Sequence, residues 1–261
     1  MISPVQTVPP CCGSGFVHPL LNKVPLAAID KYGLGSIVVT GIALIMTYLV
    51  LKKNKTTFRA IGLRWEKKTP LRFAAGYFSG IIITALILAI TIHFSNLELR
   101  YIPNQNILSV LFWLLAFLPL AFMEELIFRG YAFIKMKRDF GIWPAQIVLA
   151  LLFAWYHDFT GLTLLNQLLG PGTWALIFGI TAAWTRGLAF PTGLHMAINV
   201  VLAVVGEKDN RHSLWNIAYT NEINPTLSNQ TETIGVTIQI VLLLIAIILT
   251  EYYRRNKQIV S

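Results

Sequence analysis

The chain has 261 residues, of which 55% are hydrophobic and only 13% are charged. Soluble domains average about 25% charged residues, so this composition excludes an ordinary soluble protein and indicates an all-α, polytopic transmembrane helical bundle. The chain carries 21 Lys and Arg against 12 Asp and Glu. In a membrane protein such an excess collects in cytoplasmic loops, so the lipid bilayer is an expected partner and nucleic acid is not.

The first stretch of the chain is irregular because prolines and glycines interrupt it. Within it, residues 24–34 are the candidate for a short interfacial or re-entrant helix. Cys11 and Cys12 are adjacent, which fits neither a structural disulfide nor metal-ligand spacing, and their role is left open. The predicted division of the chain is an N-terminal arm at 1–34, a single membrane domain at 35–253 and a cytoplasmic tail at 254–261.

Seven apolar runs are predicted to cross the membrane, and the 24–34 segment would make an eighth. The seven runs are residues 35–51, 73–94, 107–123, 143–157, 173–188, 191–205 and 233–250. The helix of the third run is predicted to continue toward Lys135, because no breaker is recognised before Gly141. The polar stretches at 95–106, 158–172 and 206–232 are predicted loops, the second with a short interfacial helix as an option.

The distribution of basic residues predicts the orientation of the bundle. If the loop at 52–72 is cytoplasmic, 16 Lys and Arg fall on its side of the membrane and five on the other. This bias follows the positive-inside pattern and places the C-terminus in the cytoplasm. We therefore expect an integral membrane protein. We also expect a prokaryotic source, in which case the membrane is the plasma membrane.

Two adjacent carboxylates, Glu124 and Glu125, end the third apolar run. An acid at membrane depth costs roughly 2.5–3.5 kcal/mol on insertion scales and marks a functional site by default. Arg129 follows Glu125 at the i,i+4 spacing that favours an ion pair, so Glu125 is predicted to be a supporting residue. Glu124 points about 100° away around the helix, where a desolvated carboxylate suits a general base. The alternative to a functional site is that both carboxylates lie at a helix end and extend to the interface between membrane and water.

Three further polar residues occur in apolar runs on two other predicted spans. His157 ends the fourth span, and His195 and Asn199 are four residues apart on the sixth, hence on one helical face. A single histidine in an apolar helix more often makes a structural hydrogen bond between helices. Together with Glu124, however, these side chains supply a base, an imidazole and an amide donor, which are the groups that activate a water and stabilise an oxyanion.

Three motifs at these positions resemble those of the CPBP family of intramembrane proteases, which includes CAAX-processing, Rce1-like and bacteriocin-processing membrane proteins. The motifs are Glu-Glu-x-x-x-Arg at 124–129, Phe-x-x-x-His at 153–157 and His-x-x-x-Asn at 195–199. Their order and spacing both agree with the family, and the resemblance covers about residues 105–205. It implies a helical membrane endopeptidase of an eight-helix type with a cavity open to the cytoplasmic side.

The resemblance also implies roles for individual residues. Glu124 and His157 would activate the hydrolytic water, while His195 and Asn199 would stabilise the tetrahedral oxyanion. The chain lacks His-Glu-x-x-His, the usual zinc-peptidase helix, and the preferred mechanism requires no cofactor. Zinc remains the alternative, with Glu124, His157 and His195 as its three ligands. The expected substrate is a membrane-associated peptide or protein, either a prenylated CAAX tail or a leader peptide.

Two other functions compete with the protease. A non-catalytic membrane protein, such as an immunity or scaffold protein, would retain the same polar residues for packing between helices. A proton-coupled transporter also uses intramembrane Glu and His in relays. The transporter is the weaker alternative, because the two halves of the sequence show no visible repeat.

Overall fold

The computed structural model describes residues 28–158, 162–208, 212–220 and 225–258. The structure is about 79% helical, which agrees with the predicted all-α bundle. Its helices are α1 (Ala28–Lys53), α2 (Thr69–Phe94), α3 (Ile107–Leu115), α4 (Phe117–Arg129), α5 (Tyr131–Phe140), α6 (Ile142–Tyr156), α7 (Leu164–Gln167), α8 (Thr173–Thr185), α9 (Ala189–Val204) and α10 (Pro225–Gln258).

Within the described residues, five helical segments are long and apolar enough to cross a membrane. Two of these join neighbouring helices, since α3–α5 form one 34-residue segment and α7–α8 form one of 22 residues. The other two apolar helices, α6 and α9, have only 15 and 16 residues. A helix needs about 20 apolar residues to cross the hydrocarbon core, so the prediction of seven clear spans is not confirmed.

Helix α1 begins earlier than the sequence predicted. Residues 28–34, assigned to a separate short helix, are continuous with the first span in one helix of 26 residues. No proline or polar run separates them from the apolar stretch that follows. Residues 24–27 and both cysteines lie outside the described part of the chain.

The predicted loop at 158–172 is largely helical. Thr163 caps α7 through its side chain, which accepts a hydrogen bond from the backbone N–H of Asn166. A π-helical turn at Leu168–Gly172, which contains Pro171, then joins α7 to α8. Gly172 packs against Ala154 of α6, so burial between neighbouring helices outweighs the breaker signal of glycine and proline.

Two strands occur where the sequence predicted only loops. β1 (Leu97–Tyr101) pairs antiparallel with β2 (Trp215–Tyr219), with Leu97 opposite Tyr219. Leu97, Tyr219 and Val205 form part of a buried cluster. The strands are more than 100 residues apart in the chain, so neither shows its partner in the local sequence.

Helix α9 packs against α2 at very short range. Gly76 and Gly80 of α2 face the backbone of α9, and Gly193 of α9 faces the backbone of α2. A Cβ atom added at Gly76 would overlap the carbonyl oxygen of Phe190. This contact fixes the position of α9, the helix that carries His195.

Basic residues from separate parts of the chain gather at one end of the bundle. Arg59, Lys137 and Arg186 line one cavity although they lie in three separate parts of the chain. The Lys137 ammonium also lies 5.9 Å from the ring centroid of Tyr253, near the end of α10. The connection after α1, helix α5, the end of α8 and the C-terminal part of α10 therefore lie close together.

We expect Gly76→Ala to lower stability by about 1–3 kcal/mol, because the added methyl group forces α2 away from α9. Gly41→Ala in α1 is the control, since a Cβ there meets no atom within 4 Å. Thermal unfolding midpoints of the two variants in detergent test this. Equal midpoints would show that α2 and α9 can move apart at Gly76 without loss of stability.

Candidate active site

Helix α4 carries two buried acidic side chains and one buried basic side chain. Glu125 and Arg129 are 0% and 2% exposed, and Glu124 is also buried. The helix ends directly after Arg129, because Gly130 has φ −76° and ψ −121° and breaks the regular backbone. The uninterrupted helix predicted to Lys135 is therefore divided at Gly130 into α4 and α5.

Arg129 lies in a pocket that compensates its charge. It donates from Nη1 to Glu125 Oε1 at 3.5 Å and from Nη2 to the carbonyl oxygen of Ala175 at 3.1 Å. Its guanidinium carbon lies 4.6 Å from the ring centroid of Phe153 and 5.2 Å from that of Phe178. Cation–π contacts of this kind strengthen when water is excluded. The two rings and the Ala175 carbonyl therefore stabilise the charge of Arg129 in addition to the ion pair that the i,i+4 spacing predicted.

His195 lies between the two acids of α4. Its Nδ1–H donates to Glu125 Oε1 at 2.9 Å, and its Nε2 lies 3.5 Å from Glu124 Oε2. The ring stacks on Phe178 with centroids 4.5 Å apart and planes 17° from parallel. Because an ionised carboxylate only accepts hydrogen bonds, Glu125 fixes the proton on Nδ1 and turns Nε2 toward Glu124.

The two carboxylates therefore differ in their surroundings. Glu125 Oε1 is shared by Arg129 and His195. The Oε2 atoms of Glu124 and Glu125 are both buried and have no hydrogen-bond partner in the described part of the chain, and that of Glu124 lies 3.5 Å from His195 Nε2. Buried polar atoms almost always have partners, and an exception at a cluster of titratable groups is typical of a reactive site.

His157 lies at the edge of this cluster. It ends α6, and its Nδ1–H donates to the carbonyl oxygen of Phe153 at 2.8 Å. The ring centroid of Phe153 is 4.6 Å from that of His157 and 6.1 Å from that of His195. Phe153 thus connects the two imidazoles, and in the neutral form the lone pair of His157 is on Nε2.

Asn199 lies one turn after His195 on α9 and is 8% exposed. Across the described residues, its side chain makes no hydrogen bond to the other candidates. The structure therefore places Asn199 on the same helix as His195 without a hydrogen bond to the other candidates in the described part of the chain.

The described residues contain no group of three or more His, Cys, Asp or Glu side chains placed to hold a metal ion. His195 and His157 each donate from Nδ1 to an oxygen, which leaves Nε2 of each ring as the nitrogen that a metal would use. The zinc alternative, with Glu124, His157 and His195 as ligands, therefore stays a prediction.

Sequence reasoning missed two residues near the cluster. Lys208, counted only as a loop charge, is close enough to act electrostatically on both Glu124 and His157. Phe178, which stacks on His195, is an ordinary apolar residue in an apolar helix. The basic character of Lys208 near the end of α9 was a usable signal, whereas nothing in the local sequence of Phe178 distinguishes it.

A comparison with protein families gives a match that covers the candidate site. Residues 104–201 match the family model described as type II CAAX prenyl endopeptidase Rce1-like. This range contains Glu124, His157, His195 and Asn199, and it nearly coincides with the stretch about 105–205 that the motifs indicated. A search of curated proteins found no match.

We expect Arg129→Ala to destabilise the protein by about 3–5 kcal/mol, because it leaves Glu125 buried and without its cationic partner. Arg138→Ala is the matched control, since the Arg138 side chain is 72% exposed and its removal should leave stability nearly unchanged. Thermal unfolding in detergent measures the difference. Similar midpoints for the two variants would contradict a structural role of the Arg129–Glu125 pair.

Proposed function

Because residues 104–201 form an Rce1-like domain of the CPBP family of intramembrane proteases, we propose that this integral membrane protein is an endopeptidase that hydrolyses a peptide bond in a membrane-associated substrate. The observation that carries the proposal is His195 held between Glu124 and Glu125. This arrangement combines a carboxylate that has an available acceptor atom with an imidazole of fixed orientation. Both features are requirements of general-base catalysis.

The proposed first step is the activation of water. Glu124, assisted by His157, takes a proton from a water molecule, and the hydroxide adds to the scissile carbonyl carbon. The unpartnered Glu124 Oε2 supports this role, because a base needs a lone pair that no other donor occupies. The proton held by Glu124 is then available to the leaving amine, as general acid–base catalysis requires.

The proposed second step is the stabilisation of the tetrahedral oxyanion by His195 and Asn199. To donate from Nε2, His195 must carry protons on both nitrogens, since Nδ1–H already donates to Glu125. The resulting positive charge is compensated by the carboxylate of Glu125, since Glu124 at this stage holds the proton taken from water. The Asn199 amide, one turn along the same helix, supplies the second donor.

The proposed substrate is a prenylated CAAX tail, with a leader peptide as the other member of the same class. Either would approach along the membrane, consistent with a cluster that lies among apolar helices. The proposed orientation places the C-terminus and the basic end of the bundle in the cytoplasm, as the positive-inside pattern favours.

We expect Glu124→Gln to lower kcat at least about 10²-fold, because loss of a general base removes a contribution of roughly 10²–10⁴. Cleavage of a farnesylated reporter peptide by the purified full-length protein measures this. Glu98→Gln in β1 is the control, because the Glu98 side chain is 43% exposed and belongs to a strand outside the buried cluster. Full activity in Glu124→Gln would reject the proposed base.

We expect dialysis against a strong chelator to leave the rate of cleavage unchanged, because the proposed mechanism uses Glu124 and His157 rather than a metal-bound water. The same farnesylated reporter is used before and after dialysis. Loss of activity that added zinc restores would instead support the zinc mechanism with Glu124, His157 and His195 as ligands.

A further inference from the structure

A cationic cavity opens at the basic end of the bundle. It has a volume of about 260 Å³, and no acidic residue of the described chain lines it. Among the described residues, Arg59 and Arg186 form no ion pair, whereas Arg64 pairs with Glu66 at 3.0 Å. The basic residues around the cavity are Arg59, Arg64, Arg129, Lys137 and Arg186.

Several like charges around one cavity repel each other unless an anion lies among them. Guanidinium groups present a planar fork of N–H donors that matches the oxygens of a phosphate. Arg59 and Arg186 are both exposed at the surface, so a ligand reaches them without opening the bundle. The chemistry of the cavity therefore selects a phosphate-bearing anion.

A second, apolar cavity adjoins the first. It has a volume of about 700 Å³, within the range of about 300–1,000 Å³ typical of ligand pockets. Its walls include Phe73, Leu118 and Phe122, and it shares Gly62, Arg64, Gly187 and Leu188 with the cationic cavity. None of the candidate catalytic residues lines it, so it is separate from the active site.

A buried hydroxyl adds a polar group to the apolar cavity. Thr192, in the first turn of α9, is 4% exposed, and its Oγ1 has no hydrogen-bond partner among the described residues. Because α9 begins at the basic end, this donor lies near the junction of the two cavities. Trp65, 84% exposed, also lines the apolar cavity and is of the residue type enriched at membrane interfaces.

We propose that the two cavities together bind one anionic phospholipid. Its phosphate contacts Arg59 and Arg186, an ester carbonyl accepts from Thr192, and one acyl chain fills the apolar cavity. Basic pockets between transmembrane helices bind anionic head groups in this way. The continuity of a cationic and an apolar cavity distinguishes a lipid from a free anion, which would use only the first.

Native mass spectrometry of the full-length protein, released from phosphatidylcholine nanodiscs that contain phosphatidylglycerol, tests this proposal. We expect one retained phosphatidylglycerol per chain in preference to phosphatidylcholine. Arg59→Gln with Arg186→Asn should weaken retention roughly 25-fold, since each basic residue contributes roughly a factor of five. Asn suits position 186 because the backbone there has φ 51°.

Two matched controls separate this site from general effects. Lys53→Gln with Lys55→Asn removes two charges from the same basic region without touching either cavity, and position 55 also has φ 50°. Leu118→Trp fills the apolar cavity, whereas Leu111→Trp places the same side chain at an exposed position outside it. Leu118→Trp should reduce the retention of phosphatidylglycerol, and Leu111→Trp should not.

Three outcomes would overturn the proposal. Equal loss of phosphatidylglycerol in both charge variants would show a diffuse attraction to the basic loop. Full competition by inorganic phosphate, with no effect of Leu118→Trp, would show an anion site rather than a lipid site. Displacement of phosphatidylglycerol by the farnesylated reporter peptide would assign the apolar cavity to the substrate.

Discussion

The buried chain of contacts from Arg129 through Glu125 to His195 is the interaction on which the rest of the structure depends. A carboxylate without solvent requires a compensating charge, and Glu125 receives one from Arg129 on its own helix. The same oxygen accepts from His195, so the compensation of charge and the orientation of the imidazole have one cause. Arg129 then extends the chain to the backbone of Ala175 in α8. Three helices are thereby joined by buried polar contacts.

These contacts require that α9 be placed within a fraction of an ångström. The glycines that face each other between α2 and α9 meet this requirement, since backbones in direct contact leave little freedom to shift. Phe178 stacks on His195 from α8 and restricts rotation of the ring. A site held in this way needs little reorganisation during a reaction, which is the main source of electrostatic stabilisation in enzymes.

The sequence predicted what depends on local spacing and missed what depends on distant contacts. The Glu125–Arg129 pair follows from a separation of four residues, and the three motifs identify the helices of the site. The hydrogen bond from His195 to Glu125 joins residues 70 positions apart, and the pairing of β1 with β2 likewise has no local signal. The stretch at 164–172 was predicted as a loop with a short helix as an option, and the helical part is longer than expected because burial overrides the local breakers Gly170 and Pro171. Gly130, which divides α4 from α5, was a breaker that the prediction did not use.

Helical periodicity explains why the two neighbouring acids have different surroundings. Arg129 is four residues from Glu125 and five from Glu124, and only the four-residue spacing places both side chains on one face. If the base of the proposed mechanism were at the i,i+4 position, the guanidinium would bind its lone pair and oppose proton uptake. A second acid next to it solves this problem, because Glu125 engages Arg129 and leaves Glu124 directed at His195 Nε2. In the proposed mechanism the adjacent carboxylates thus act together, because Glu125 compensates Arg129 and leaves Glu124 to act as the base.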